Sequence, residues 1–278
     1  MSELSDYLPE LPEGEVPSEV IVIYQELRRL MGLPIVPMVY RHLATLPGIL
    51  PEAWHGLAPL MRTGRLQDAA WDIARKVDID PPLKFEPLAL EALGVDVTST
   101  KEITKVLDAY NRANPVSMLA VSCLAARLAS PPSPVLTQPA RPWTPPPALT
   151  NLPPMAPLGE IPPQLLRLIE DLRVNGKQAR QRMVPSLYRH LTQWPGFLGL
   201  THAMLKPLVH NGSLEREASR IRNAMRSKAQ DYVPMVAPLP ALAETPAAKA
   251  ALTGFIDLIP EMLVVGTLLR RAMPDHKG

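Results

Sequence analysis

The chain has 278 residues, 46% of them hydrophobic, which is enough apolar side chain for one or two folded units and argues against extended disorder. Its 29 basic and 27 acidic residues leave a net charge of +2, spread without long runs, which gives no footprint for nucleic acid and no polybasic patch for a membrane. A single cysteine, Cys123, excludes an internal disulfide, a CxxC redox pair and a cysteine-based metal cluster.

In chain order, the acidic start MSELSDYLPELPEGE is unlike a signal peptide, and no uninterrupted apolar stretch approaches the roughly 18 residues of a spanning helix. A cytoplasmic location is the expectation. Ser18 predicts the cap of a helix over 19–31, with Gly32 as its stop. Helices follow over 37–45, ending at Leu46-Pro47-Gly48, and over 51–62, kinked at Pro59. Next come 66–76, 87–93 closed by Gly94, and 101–112 capped by Thr100. Asn114-Pro115 reads as the N-cap and first residue of a separate long helix to about residue 128. The apolar run around Cys123 in that helix predicts a buried thiol rather than a nucleophile.

Residues 131–163 contain 13 prolines, a density that forbids helix and favours an extended strap. Helices resume over 163–174, 180–192, 196–209, 214–228, 247–258 and 260–272. No strand-like alternation is evident, so the fold class is all-α.

The chain also repeats itself. Val36, Pro37, Tyr40, Arg41, His42, Leu43, Pro47, Gly48, Leu57, Pro59, Leu60, Gly64 and Leu66 recur as Val184, Pro185, Tyr188, Arg189, His190, Leu191, Pro195, Gly196, Leu205, Pro207, Leu208, Gly212 and Leu214, each 188 − 40 = 148 positions later. This predicts internally duplicated helical repeats, residues 1–130 and 164–278, joined by the Pro-rich linker 131–163 into a pseudo-dimer within one chain. Any site is expected where the halves meet. A homodimer of the chain is compatible with this reading.

The usual catalytic signatures are missing: no GxSxG, HExxH, P-loop or dinucleotide fingerprint occurs. His42 and His190 sit near helix C-termini, where a cation complements the helix dipole. Arg41 and Arg189 have the bidentate fork that grips a carboxylate, but Arg41 lies off the apolar stripe Val36, Val39, Tyr40 and Leu43, so both are expected in solvent. Asp108, Asp257 and Glu261, near the starts of long helices, read as helix-end or solvent-facing acids.

The segment LATLPGILPEAW (43–54), then Pro81-Pro82-Leu83, VLDAYNRANP (106–115) and Gln193-Trp194-Pro195 form an ordered pattern. With these residues the chain resembles the group I (DehI-type) 2-haloacid dehalogenases, over nearly its whole length outside the strap. The resemblance implies an all-helical pseudo-dimer with its active site between the repeats. It also implies hydrolysis of short 2-haloacids of either stereochemistry, with no metal or organic cofactor. In that family an aspartate activates the water that displaces halide, and a first-repeat asparagine holds water or substrate. The asparagine falls on Asn114, the aspartate on Leu187, and a site tryptophan on Ile35; Val39 is the pseudo-symmetric partner of Leu187.

Leucine cannot take a proton from water, so no catalytic residue is assigned. Asn114, Ser186 and Tyr188 are the expected substrate-binding residues, with a small carboxylic acid as ligand and neither nucleic acid nor membrane as partner. Asp108, Asp257 and Glu261 are the candidates for a relocated base. The alternative is a non-catalytic pocket for a small acid or apolar ligand, lined by Leu187, Val39, Ile35 and Tyr188. A third reading is a scaffold that binds another protein through exposed helices or the strap.

Overall fold

The computed structural model describes residues 7–131, 133–137, 139, 141–173 and 183–274, and among them every regular element is helical. Pro17 and Pro37, in extended conformation, lead directly into α1 (Ser18–Met31) and α2 (Met38–Leu43). Ser18 is thus the first residue of α1 rather than its cap, while Gly32 ends the helix at a φ of 60°, as the sequence predicts. α3 (Ile49–Arg62), α4 (Arg65–Ala74) and the short α5 (Pro87–Ala92) follow.

Asp96, and not Thr100, caps the next helix by accepting the Ser99 amide at 2.7 Å. This helix, α6 (Val97–Ala129), runs unbroken through Asn114-Pro115. Its 33 residues make it about 50 Å long. The two predicted helices are therefore one. An interior proline costs about 3 kcal/mol, but α6 is buried along most of its length, from Ile103 to Leu124. Each buried Val- or Leu-sized side chain contributes about 1.5–3 kcal/mol, so a few of them outweigh the proline.

The second half comprises α7 (Pro163–Leu172), α8 (Ser186–Leu191), α9 (Pro195–His210), α10 (Ser213–Gln230), α11 (Pro240–Glu244) and α12 (Pro246–Ala272). The predicted helix over 180–192 lies partly outside the described residues, and within them it begins only at Ser186. α12 absorbs Pro260 as α6 absorbs Pro115, fusing the predicted helices 247–258 and 260–272.

α6 and α12 pack along each other as the central pair, with α10 against both and α4 against α6. The two helices touch closely at Gly266. There the Asn111 amide donates to the Gly266 carbonyl at 3.1 Å, and an added Cβ would lie 2.4 Å from Asn111 Oδ1. By length and composition α12 could cross a membrane, but most of its apolar stretch is buried within the fold.

The strap is docked on the first half. The Trp143 ring covers Gly64, which sits at a φ of 68° and where a Cβ would come within 2.1 Å of the indole. Arg112 donates to the carbonyls of Gly32 and Pro147 at 3.0 and 2.7 Å. The Leu149 amide adds a third tie to the Gly32 carbonyl at 3.0 Å. Further on, the strap carbonyls of Pro153 and Ala156 receive α8 through His190 and Arg189.

Candidate functional site

A cavity of about 40 Å³ lies where α2, α6, α8 and α12 converge. α6 lines it with Tyr110, Ala113, Asn114 and Ser117, the i, i+3, i+4, i+7 set that shares one helical face. α12 supplies Phe255, Leu258, Ile259 and Met262, which share the i, i+3, i+4, i+7 spacing of one helical face. Pro37, Met38 and Val39 at the start of α2 face Pro185, Ser186 and Leu187 at the start of α8, related by the 148-residue offset. Corresponding positions thus meet around one cavity, but their chemistry differs. The polar wall is Tyr110, Asn114, Ser117 and Ser186; the α12 wall is wholly apolar.

Because α6 continues through Asn114, this residue is not an N-cap, which corrects the sequence reading. Its Nδ2 is buried with no hydrogen-bond partner among the described residues. A buried amide left unpaired costs about 1–3 kcal/mol, so it stands ready for an acceptor.

Ser186 and Tyr110 belong to a polar network behind the cavity. Arg41 Nη2 donates to Ser186 Oγ at 3.2 Å. His190 Nε2 lies 3.2 Å from the Pro153 carbonyl, which can only accept, so Nε2 carries the proton. Its Nδ1, 2.8 Å from the Tyr110 hydroxyl, therefore accepts from it. Burial pushes His190 down to about 4, with smaller contributions from Arg41 and Arg189, and also lowers His42. Both imidazoles are neutral at pH 7, not the dipole-complementing cations the sequence suggested. Burial likewise holds the Tyr110 hydroxyl well above its ordinary range, against weaker pulls from Arg41 and Ser186.

Arg41 and Arg189 are not in solvent. Each is only 8% exposed, and both reach the carboxylate of Glu10. The expected dispersal into water fails because the YRHL segments sit at the centre of the fold, where a guanidinium must be paired.

Tyr188 does not line the cavity, and its hydroxyl is buried elsewhere with no hydrogen-bond partner among the described residues. Ile35, Val39 and Leu187 do line it. None of the three candidate acids does. Asp108 pairs with Arg270 at 2.9 Å and Asp257 lies 3.8 Å from Arg222, both half exposed. Glu261 is fully buried, close enough to Tyr188 to disfavour its ionisation. Among the described residues no carboxylate or imidazole is in the cavity wall. Cys123 is fully buried, and burial pushes its thiol well up. Among the described residues no three His, Cys, Asp or Glu side chains converge.

Sequence reasoning missed Tyr110, Glu10 and the α12 face. The signal for the last was present: Phe255, Leu258, Ile259 and Met262 keep helical spacing through Pro260, but a break assumed at that proline divides them.

No family model matches the chain. Over 120 residues it is 31% identical to a configuration-inverting 2-haloacid dehalogenase of Alcaligenes xylosoxydans xylosoxydans, a match spanning 43% of this chain and 40% of that protein. A D-2-haloacid dehalogenase mutant in complex with D-2-CPA superimposes with a TM-score of 0.76 at 21% identity, covering 96% of this chain and 94% of that one. The D-2-haloacid dehalogenase complex with L-LA gives a TM-score of 0.71 at 19% identity, covering 96% and 95%. Both share this all-α fold. Over part of its sequence and nearly all of its fold, the chain is thus similar to 2-haloacid dehalogenases.

Proposed function

We propose that the cavity holds a short 2-halocarboxylic acid and that hydrolysis has been lost from it at residue 187. The observation that carries this reading is, among the described residues, the unpartnered Asn114 amide in a wall that contains no acid. At about 10–15 Å³ per water, 40 Å³ corresponds to roughly three waters, which restricts the cavity to a small ligand. A carboxylate would take hydrogen bonds from Asn114 and the hydroxyl of Ser186, while alkyl and halogen rest on Phe255, Ile259 and Met262. The distribution of polarity supports that orientation, as does the substrate class in the names of the relatives.

Direct displacement of halide needs a base within hydrogen-bond reach of the attacking water, and its removal costs about 10²–10⁴ in rate. The resemblance puts the family's aspartate at Leu187, and Leu187 faces the cavity. His190 does not line the cavity and has both ring nitrogens engaged, by the Tyr110 hydroxyl and the Pro153 carbonyl, and burial keeps Tyr110 protonated, so neither offers a replacement.

The test is halide release from D- and L-2-chloropropionate and 2-bromopropionate by the natural chain and by Leu187→Asp. The natural chain should stay at background. The variant should release halide with inversion at C2, as direct attack by water requires. Steady turnover by the natural chain would sink the loss of hydrolysis.

A further inference from the structure

The buried charges behind the cavity do not balance. Glu10 Oε2 accepts from Arg41 Nε at 2.8 Å and from Arg41 Nη2, while Oε1 accepts from Arg189 Nη1 at 2.7 Å. The side chains of all three are only 9–12% exposed. Among the described residues, two guanidinium groups therefore share one carboxylate. Their remaining donors go to neutral acceptors: the Val36 carbonyl, Ser186 Oγ and the Ala156 carbonyl.

The two arginines lie 148 positions apart in the matched segments 36–66 and 184–214, and the carboxylate between them comes from neither segment. Glu10 arrives on an N-terminal segment that is also fixed on either side of it, by buried Leu8 and by Glu13, which pairs with Arg28 at 2.7 Å and accepts the Val36 amide at 3.3 Å. The Leu11 amide donates to the Arg41 carbonyl at 3.0 Å, Tyr24 donates to the Leu11 carbonyl at 3.1 Å, and His42 Nδ1 donates to the Pro9 carbonyl at 2.8 Å. Glu10, Arg41 and Arg189 line a hollow of about 650 Å³. Ile35 lines both this hollow and the inner cavity, and Arg41 touches Ser186 in the inner wall. The hollow and the cavity therefore adjoin.

We propose that Arg41 and Arg189 form a binding site for a short monocarboxylate at the approach to the cavity, filled in the resting chain by Glu10, so that residues 7–13 act as a displaceable plug. Arg41 presents Nε and Nη2 to one carboxylate oxygen and Arg189 presents Nη1 to the other, so the pair suits a carboxylate held between two guanidinium groups. Glu10 is tethered, so it competes at an effective concentration on the order of millimolar. A free carboxylate must reach that range to displace it. This inference rests on the reading of the ligand as a carboxylic acid, but its test is separable.

Propionate, which has no leaving group, is the probe, and propionamide is its neutral control. By titration calorimetry Glu10→Gln should bind propionate at least about tenfold tighter than the natural chain, with propionamide unchanged. The double variant Glu10→Gln/Arg189→Gln should lose that gain. On the unmodified protein, saturating propionate should speed hydrogen exchange of the Leu11 amide and its neighbours. Equal propionate affinity with and without Glu10, or exchange unmoved by propionate, would overturn the plug. Asn114→Leu separates the two readings. If it abolishes propionate binding while Glu10→Gln changes nothing, the cavity reading stands and the plug falls. If Glu10→Gln tightens binding that Asn114→Leu leaves intact, the plug stands and the cavity reading falls.

Discussion

Asn114 and Leu187 lie side by side in the reading of this site, one a polar group without a partner and the other an apolar group where chemistry needs a charge. An amide buried without an acceptor lowers stability, and a leucine of similar volume relieves that cost. Asn114→Leu should therefore raise unfolding free energy by about 1 kcal/mol in urea titrations, while abolishing affinity for short 2-haloacids. A fall in stability would mean that the amide already has a partner. His190 carries a second residue-level prediction. Burial holds it near 4, below its ordinary 6.5, so between those values the unfolded chain takes up a proton that the folded chain refuses. Its contribution is present above pH 6.5 and is lost as pH falls toward 4, by up to about 1.4 kcal/mol per pH unit. Comparing urea midpoints at pH 7 and pH 5 for the natural chain and His190→Gln should show the larger loss in the natural chain.

At the scale of elements, the two long helices position the cavity, and their crossing is set by Gly266. A methyl group there meets Asn111 Oδ1 at 2.4 Å, and Asn111 already spends its amide on the Gly266 carbonyl. Gly266→Ala should cost about 1–3 kcal/mol by overpacking, read as a drop in thermal midpoint. The neighbouring surface change Leu88→Ala, at a side chain 79% exposed, should cost nearly nothing. These helices also mark the limit of what the sequence discloses. Helix type, the glycine stops after α1 and α5, and the extended strap all follow from local rules. The continuity of α6 and α12 does not, because Pro115 and Pro260 carry strong local signals for a boundary. The burial that overrides them depends on partners more than a hundred residues away. The boundary at Pro260 also hid the α12 wall of the cavity, since it separates Phe255 and Leu258 from Met262.

For the whole molecule, α6 and the start of α8 give one small cavity a polar side and α12 gives it an apolar one. Positions 110, 113, 114 and 117 against 255, 258, 259 and 262 are visible in the sequence only once their helices are known to be continuous. Ile35, Val39 and Leu187 could be placed at the site from the repeat and the resemblance alone. Tyr188 could not, because the short α8 turns its hydroxyl away from the cavity that its neighbours line. Glu10 lies outside the matched segments 36–66 and 184–214, so the internal comparison does not point to it. The strap closes the arrangement by tying the first half, through Gly32 and Gly64, to the arginine and histidine of α8. The central claim is that this cavity is the ligand site, and the most direct test is a crystal structure of the natural chain with 2-bromopropionate, read by the anomalous signal of bromine. The account predicts a bromine peak against Phe255, Ile259 and Met262, with the carboxylate within hydrogen-bond distance of Asn114 Nδ2. Bromine bound elsewhere, with the cavity empty at saturating ligand, would contradict it.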